Sequence, residues 1–170
     1  MSGTEATSLR TRLAEPGDAE AMRAIYNIEV TGSTVTFDMV PRTPEEQRQW
    51  MEEHSGAHPA IVAVDDLGAV AGFASLTPYR SRPAYSTTVE DSVYVHQDYR
   101  GQGVGRLLLE DLVVLARVGG FHAIMARIVG THEASIRLHR ACGFELVGVE
   151  REVGRKFAHW LDVALMQRLI

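Results

Sequence analysis

The chain has 170 residues, of which 45% are hydrophobic and 23% charged, a balance that fits one globular domain able to bury its own core. The formal net charge of −5 gives no basic footprint for nucleic acid or for an anionic membrane surface. Its single cysteine, Cys142, excludes an internal disulfide, and no apolar run is long enough to span a bilayer. Because the start of the chain also lacks a signal-peptide pattern, we expect a cytoplasmic protein.

The N-terminal part of the chain predicts a strand followed by a helix. Residues 1–8 are small and polar, and we expect them to be flexible, with a single domain over residues 9–170. A strand is predicted over Leu9–Leu13. A helix then begins at Pro16, because proline suits the first turn of a helix. Its apolar positions at helical spacing are Met22, Ile25 and Ile28.

A polar loop separates this helix from the next one. Thr31–Thr36 is rich in Thr, Ser and Gly and predicts a loop over one end of the sheet, leading to the aromatic Phe37. Thr43 to Glu46 form a capping box with proline at the first helical position, so a second helix is predicted to about His54. Two apolar runs then predict strands joined by a hairpin turn: Ala60–Val64 and Ala69–Leu76.

The central stretch, Thr87–Leu115, predicts a strand, a glycine-rich turn and a long amphipathic helix. Alternation along the strand places Glu90 and Tyr94 on the face opposite Val89 and the other valines. The turn Arg100–Arg106 has glycine at every second position, so its backbone N–H groups stay open to a ligand. Since the turn also starts a helix, its unpaired amides and the helix dipole favour an anion such as phosphate.

The glycine spacing distinguishes this turn from two other phosphate-binding turns. Its third glycine comes one residue too early for the Rossmann pattern, and no Gly-Lys-Ser/Thr sequence completes a P-loop. A dinucleotide or ATP site is therefore disfavoured.

The remaining chain predicts a parallel strand-helix-strand unit and a final hairpin. Gly119-Gly120 ends the central helix, and a strand over Ala123–Val129 completes the unit. A short helix over Glu133–Cys142 follows, closed by Gly143. The last two predicted strands and the turn between them are Glu145–Val153, His159–Leu169 and Gly154–Ala158.

Two motifs resemble the GNAT superfamily of N-acetyltransferases. Arg100 to Gly105 matches at every position the acetyl-CoA motif Arg/Gln-x-x-Gly-x-Gly/Ala. Ser135 to Phe144 is similar to the second motif, Ser-x-x-Leu-His/Tyr-x-x-x-Gly-Phe. The match is closest to the phosphinothricin and methionine sulfoximine acetyltransferases, and it covers nearly the full chain.

The resemblance implies an α/β fold with a mixed, largely antiparallel central sheet flanked by helices. The parallel strand-helix-strand unit forms its core, and the sheet splays where the Glu90 strand parts from the next one. The resemblance also implies a homodimer and acetyl-CoA as co-substrate. The residues expected to bind acetyl-CoA are Val93, Tyr94, Val95, Arg100, Gly101, Gln102, Gly103, Val104, Gly105, Arg106, His132 and Ser135. His132 stands where the family usually has Asn, so that contact departs from the pattern.

Two residues are candidates for proton transfer. An α-amine with a pKa near ~8 is partly protonated at neutral pH and must lose its proton before it attacks a thioester. Glu90, on a strand beside the cofactor turn, is the candidate base, directly or through a water; the alternative is a salt-bridged surface carboxylate. His139, at the family's His/Tyr position, is the candidate acid for the departing thiolate; the alternative is a packed helix histidine.

The loop before the Glu90 strand predicts the acceptor site. Arg80 and Arg82 can hold a substrate carboxylate, with Phe37 and Tyr85 as walls around its side chain. Solvated surface charges are the alternative for both arginines. The predicted acceptor is a small amino acid or an amino-acid analogue.

Other kinds of site and function are less well supported. Cys142 has no His-Asp support nearby in sequence, so a covalent acetyl-enzyme is disfavoured. The histidines are scattered, and no metal is predicted. A protein N-terminal or lysine acetyltransferase would share the cofactor motifs but would need an open acidic groove. A non-catalytic CoA-binding module would not need Glu90.

Overall fold

The computed structural model describes residues 8–170, so the segment predicted to be flexible, residues 1–8, lies outside the described part except for Ser8. The strands are β1 (Arg10–Leu13), β2 (Ala60–Val64), β3 (Val70–Pro78), β4 (Thr88–Val95), β5 (Ala123–Val129), β6 (Glu145–Lys156) and β7 (His159–Leu169). The α-helices are α1 (Ala19–Gly32), α2 (Pro44–Glu53), α3 (Val104–Val118) and α4 (Glu133–Ala141). Within residues 8–170, no helix has the length and apolar character needed to cross a bilayer.

The seven strands form one mixed sheet in the order β1-β2-β3-β4-β5-β7-β6. Every neighbouring pair is antiparallel except β4 and β5, which are parallel and joined by α3. That parallel pairing is short, because it joins only Thr88–Glu90 to Ala123–Met125. Beyond it β4 continues along β3 as far as Val95, and β5 continues along β7 as far as Val129. The predicted fold class and its splay past Glu90 are confirmed.

Each face of the sheet is covered by its own pair of helices. On one face α3 and α4 enclose a core that includes Val89, Leu108 and Ile124. On the other face α1 and α2 cover a second core that includes Met22 and Phe73. Alternate residues of one strand therefore enter two different environments.

The second helix begins as its sequence predicts, whereas Pro16–Asp18 forms a 3-10 turn and α1 begins directly after it, at Ala19. In α2 the Thr43 hydroxyl accepts from the Glu46 amide at 3.2 Å, and the Glu46 carboxylate accepts from the Thr43 amide at 2.7 Å. In α1 the predicted positions Met22 and Ile25 are buried against the sheet, and only Ile28 differs from its prediction. Ile28 is 47% exposed, because the stripe that meets the sheet contains Tyr26 and Glu29 instead.

The final hairpin differs from its prediction over Gly154–Ala158. β6 continues to Lys156, and the turn consists of Phe157 and Ala158, with φ of 49° and 63°. Two central residues with positive φ suit the right-handed twist of a hairpin, so the turn is tight without glycine. A bulge between Glu150 and Gly154 shifts the register against β7, and it explains why the sequence pattern breaks there.

Candidate active site

A cleft of about 590 Å³ opens where β4 and β5 part, bounded by the start of α3 and by α4. Eleven of the twelve residues predicted to bind acetyl-CoA line it, together with His139. The exception is Gln102, whose side chain is exposed and donates to the carbonyl of Asp98 at 2.9 Å. The cleft is thus formed mainly by residues that the sequence motifs identify.

The three glycines at the start of α3 have different roles. Gly101 and Gly103 have φ of 75° and 82°, a conformation that other residues rarely adopt. Gly105 lies inside the helix, where a Cβ would come within 3.0 Å of the Leu138 side chain on α4. The first helical hydrogen bond runs from the Leu107 amide to the Gly103 carbonyl at 3.0 Å. The amides of the first turn before it have no helical acceptor, and the residues that carry them line the cleft.

Both arginines of the turn have carboxylate partners. Arg106 pairs with Glu110 one turn further along α3, at 2.7 Å. Arg100 pairs with Glu29 of α1, a residue that lines the cleft and was not predicted to belong to the site. Glu29 also accepts from the Ser33 hydroxyl at 2.6 Å. These pairs reduce the positive charge that the sequence suggests for the turn, so backbone amides have a larger part in anion binding.

His132 occupies the position before α4 where the family usually has Asn. Its backbone amide donates to the Val129 carbonyl at 2.8 Å, which fixes the start of the helix. The half-buried ring lines the cleft. Burial lowers the pKa of His132, so the ring is neutral at pH 7 and one of its nitrogens can accept a hydrogen bond.

His139 forms a buried pair with Asp91 that sequence analysis did not predict. Its Nε2 lies 3.2 Å from Oδ2 of Asp91, and its Nδ1 donates to the Ser135 carbonyl at 2.8 Å. Burial lowers the pKa of His139, but the charge and hydrogen bond of Asp91, with the Ser135 carbonyl, raise it above its ordinary value. Both ring nitrogens face acceptors, so the geometry favours the imidazolium. To release a proton into the cleft, the ring must first break one of these bonds.

Glu90 faces the other side of the sheet from Asp91. Its strand partners are Thr77 and Met125, the last β5 residue in the parallel pairing. Burial raises the pKa of the Glu90 carboxyl, and the charges of Arg127 and Arg80 oppose the rise. A carboxylate with a raised pKa is a better proton acceptor at neutral pH. Glu90 does not itself line the cleft.

Arg127 of β5 is a second charged residue that the sequence analysis missed. It lines the cleft and forms an ion pair with Glu150 of β6 at 2.7 Å. The sequence did contain a signal for Arg127: it is the single charged residue in the apolar run Ala123–Val129. A strand buried on both faces has no place for a charge, and Arg127 is indeed the exposed residue of this strand. Its charge also acts on the carboxyl of Glu90, which does not line the cleft.

The four residues predicted to bind the acceptor lie outside the cleft lining. Arg80 and Arg82 are exposed. The guanidinium of Arg80 stacks on the Tyr79 ring at 5.0 Å, and Tyr79 meets Tyr85 edge to face at 5.6 Å. Phe37 lies against Gly154 of β6. The structure thus puts the arginine loop near Glu90, because the Arg80 charge acts on that carboxyl, but does not put it in contact with the cleft.

Other catalytic chemistries find little support in the site. Cys142 is buried, and burial raises the pKa of its thiol, which disfavours the reactive thiolate. Among residues 8–170, no group of three or more His, Cys, Asp or Glu side chains is arranged to hold a metal ion.

Comparison with known proteins decides the family. The model of the acetyltransferase (GNAT) family matches residues 22–144. Phosphinothricin N-acetyltransferase of Streptomyces coelicolor is 40% identical over 171 residues, 99% of each chain. The chain belongs to the GNAT family. An L-methionine sulfoximine/L-methionine sulfone acetyltransferase of Pseudomonas aeruginosa, 38% identical over 94% of each chain, supports the branch that the resemblance indicated.

Solved GNAT structures show the same fold with the expected co-substrate. A phosphinothricin acetyltransferase of Sinorhizobium meliloti in complex with acetyl-CoA has a TM-score of 0.91 and 38% identity, over 97% of this chain and 89% of that one. The protein yncA of Salmonella typhimurium, with its cofactor acetyl-CoA, has a TM-score of 0.92 and 35% identity, over 95% and 94%. This GNAT chain is therefore an N-acetyltransferase, as predicted.

Proposed function

We propose that this enzyme moves the acetyl group of acetyl-CoA directly to the α-amine of a small amino acid or analogue of the phosphinothricin, methionine sulfoximine or methionine sulfone type. The observation that carries the proposal is the splay itself. On one side of the splay is the cleft, lined by the first turn of α3 with its unpaired backbone amides. On the other face of β4 is the carboxyl of Glu90, whose pKa is raised. Residues 9–170 act as one domain. The proposed location is the cytoplasm, because the chain has a single cysteine and uses acetyl-CoA as donor.

The residues of the cleft fit acetyl-CoA. Its pyrophosphate suits the open amides between Gly101 and Arg106, because Gly101 and Gly103 have no Cβ and the helix dipole favours an anion. Val93 and Val95 give an apolar wall on β4, and His132 and Ser135 offer polar contacts from α4. The bound co-substrate supplies the acetyl group as a thioester.

Glu90 is proposed as the general base. The acceptor approaches as an ammonium and must lose a proton before its nitrogen can attack. Glu90 takes this proton, directly or through one water, and its partial burial raises its pKa toward that task. Because side chains alternate along β4, the acceptor reaches the splay on the face of the sheet that carries Glu90. The thioester reaches it on the opposite face.

His139 is proposed as the group that assists the departing thiolate. As an imidazolium it holds a proton and a positive charge at the cleft wall.

Arg80 and Arg82 are proposed to bind the acceptor carboxylate from the loop beside Glu90, with Phe37 and Tyr85 beside the side chain of the acceptor. Charge-assisted bonds of this kind are worth about 1.5–3 kcal/mol.

A thioester-consumption screen tests the function. Acceptors are phosphinothricin, methionine sulfoximine, methionine sulfone, the free amino acids and short peptides, with an acceptor-free reaction as the hydrolysis control. Turnover confined to the free amino acids or their analogues supports the proposal. Preference for peptides would indicate a protein N-terminal or lysine acetyltransferase. Acetyl-CoA binding without turnover on any acceptor would indicate a CoA-binding module.

The enzyme is also proposed to be a homodimer. Several large apolar side chains of the final hairpin are at least half exposed in the single chain: Leu146, Val147, Val149, Val153 and Trp160. Leu146, Val149 and Trp160 lie together along one surface hollow, and exposed apolar side chains gathered in this way are typical of an interaction surface. Light scattering on the purified enzyme measures the mass, and a monomer mass at assay concentration would contradict the dimer.

A further inference from the structure

Lys156, near the end of β6, is a buried cation that the proposed chemistry does not use. It is 3% exposed, and its ammonium donates to the carbonyl of Thr36 at 2.8 Å and to that of Glu29 at 3.5 Å. Within residues 8–170, no carboxylate oxygen lies at ion-pair distance from it. A buried ammonium is costly unless it is well hydrogen-bonded, so these carbonyls must stay in place. Lys156 therefore ties β6 to the residue next to Phe37.

Gly154, on the same strand, makes a second contact with this loop. A Cβ at Gly154 would lie 2.5 Å from Cζ and 3.0 Å from Cδ2 of Phe37. The aromatic ring thus rests directly on the backbone of β6, in space that any larger residue would fill. Gly154 has no positive φ, so close approach of the ring is what requires glycine here.

The bulge in β6 brings these two residues to the loop. Four steps along β6, from Glu150 to Gly154, face only two steps along β7, from Val163 to Leu161. Glu152 has a φ of 50°, and its amide donates to the Asp162 carboxylate at 2.8 Å, which holds the bulge in shape. Bulges redirect the strand that follows them. The end of β6 is thereby fixed independently of the loop that it contacts.

The loop is held on its other side by α1. The Thr36 hydroxyl lies 3.0 Å from the hydroxyl of Tyr26, and it accepts from the Asp38 amide at 3.2 Å. Phe37, between these two anchored residues, is itself 41% exposed and faces open space beyond the ring contact. Its position thus depends both on α1 and on residues more than a hundred positions later in the chain.

We propose that Gly154 and Lys156 are positioning residues for the acceptor site, which place the Phe37 ring and so determine the size of amino-acid side chain that the enzyme accepts. This inference rests on the proposed function. It extends that function to two residues of β6 that do not touch the acceptor.

Gly154→Ala tests the ring contact, with Gly148→Ala as the matched control. Gly148 lies on the same strand, and a Cβ there would meet no atom of the described residues within 4 Å. Because the added methyl group displaces the ring, we expect Gly154→Ala to raise KM for methionine sulfoximine by roughly 10- to 100-fold while KM for acetyl-CoA stays unchanged. In the background of Phe37→Ala, the same substitution should have no further effect, because the displaced ring is absent.

Lys156→Met tests the second anchor and keeps the proposal open to refutation if Gly154→Ala fails to fold. We expect it to change the ratio of kcat/KM between small and large acceptors. Acetyl-CoA binding should change less than that ratio, because the contact with Glu29 in the cleft is the longer of the two, at 3.5 Å. Phe37→Ala should change the same ratio. If Gly154→Ala and Lys156→Met both match Gly148→Ala on every acceptor while Phe37→Ala does not, the inference is overturned and the proposed function stands. If the unmodified enzyme acetylates no free amino acid, the function fails first.

Discussion

Glu90 and Asp91 are adjacent carboxylates on β4 with opposite surroundings. Asp91 is 7% exposed and pairs with His139 on the α3 and α4 side of the sheet. Glu90 faces the α1 and α2 side, is only partly buried, and forms no ion pair within residues 8–170. One carboxylate joins β4 to α4 across the splay, and the other is available to an acceptor.

The difference shows how one strand at a splay can place a residue that stabilises the fold next to a residue that is proposed to accept a proton. Side-chain alternation alone sends neighbouring residues to opposite faces. The free energy of the Asp91–His139 pair depends on its being complete, since a buried charge without its partner is costly. A base must instead keep its lone pairs free for the substrate proton. Substitutions at the two positions should therefore have different consequences.

Glu90→Gln should have the largest effect on turnover. The amide keeps the shape of the side chain but cannot accept a proton, so kcat/KM should fall by about 10²- to 10⁴-fold at neutral pH. The loss should shrink as pH rises, because more of the amine is then already neutral. A pH profile of kcat/KM measures both effects. Profiles of equal height for variant and unmodified enzyme would remove Glu90 from the mechanism.

The same variant should be slightly more stable than the unmodified enzyme at neutral pH. The folded-state pKa of Glu90 is raised above its ordinary value of 4.5, so the native state binds the proton more tightly than the unfolded chain. Stability therefore falls as pH rises from that value through the raised pKa. Thermal unfolding at pH 4 and pH 7 checks this, since Glu90→Gln should remove that part of the fall.

Asp91→Asn should lower stability, and because Asp91 raises the pKa of His139 it should also reduce the help that the imidazolium gives the departing thiolate. Removing one partner of a buried pair costs about 3 kcal/mol, less where His139 can lose its proton. The folded-state pKa of His139 is raised, so the stabilisation is complete below its ordinary value of 6.5 and is lost as pH rises through the folded pKa. Urea unfolding between pH 5.5 and pH 8 should show this decline in the unmodified enzyme and not in the variant. Equal pH dependence in both proteins would contradict the imidazolium assignment.

The smallest effect is expected at the exposed arginines. Arg82→Gln and Arg80→Gln each remove a charge-assisted contact with the acceptor carboxylate, so KM for the acceptor should rise by roughly 10-fold while kcat changes little. Arg48→Gln on α2, whose exposed side chain pairs with Glu45, is the matched control. Titration calorimetry should show acetyl-CoA affinity unchanged in all three variants. If the two loop variants behave like the control, those arginines are surface charges only.

The parts of the site that the sequence predicted are local. A glycine-rich turn, a capping box and strand alternation each depend on residues a few positions apart, and all three were found in place. The unpredicted parts join distant segments: Asp91 to His139, Glu29 to Arg100 and Lys156 to Thr36. Their pairing depends on how the elements pack, which no short spacing encodes. Ile28 shows the same limit, because Met22 and Ile25 of the predicted face are buried while Ile28, one turn further on, is exposed.

The short β4–β5 pairing also affects how the protein behaves in solution. Past Glu90 and Met125, both strands have one side without a strand partner, although neither lies at the rim of the sheet. Unpaired strand sides at a rim are templates for aggregation, which proteins avoid by covering or charging them. Here the two sides face the cleft, where side chains of α4 such as Leu138 and His139 line the same space. The opening needed for acetyl transfer thus adds no strand edge that a neighbouring molecule can easily reach.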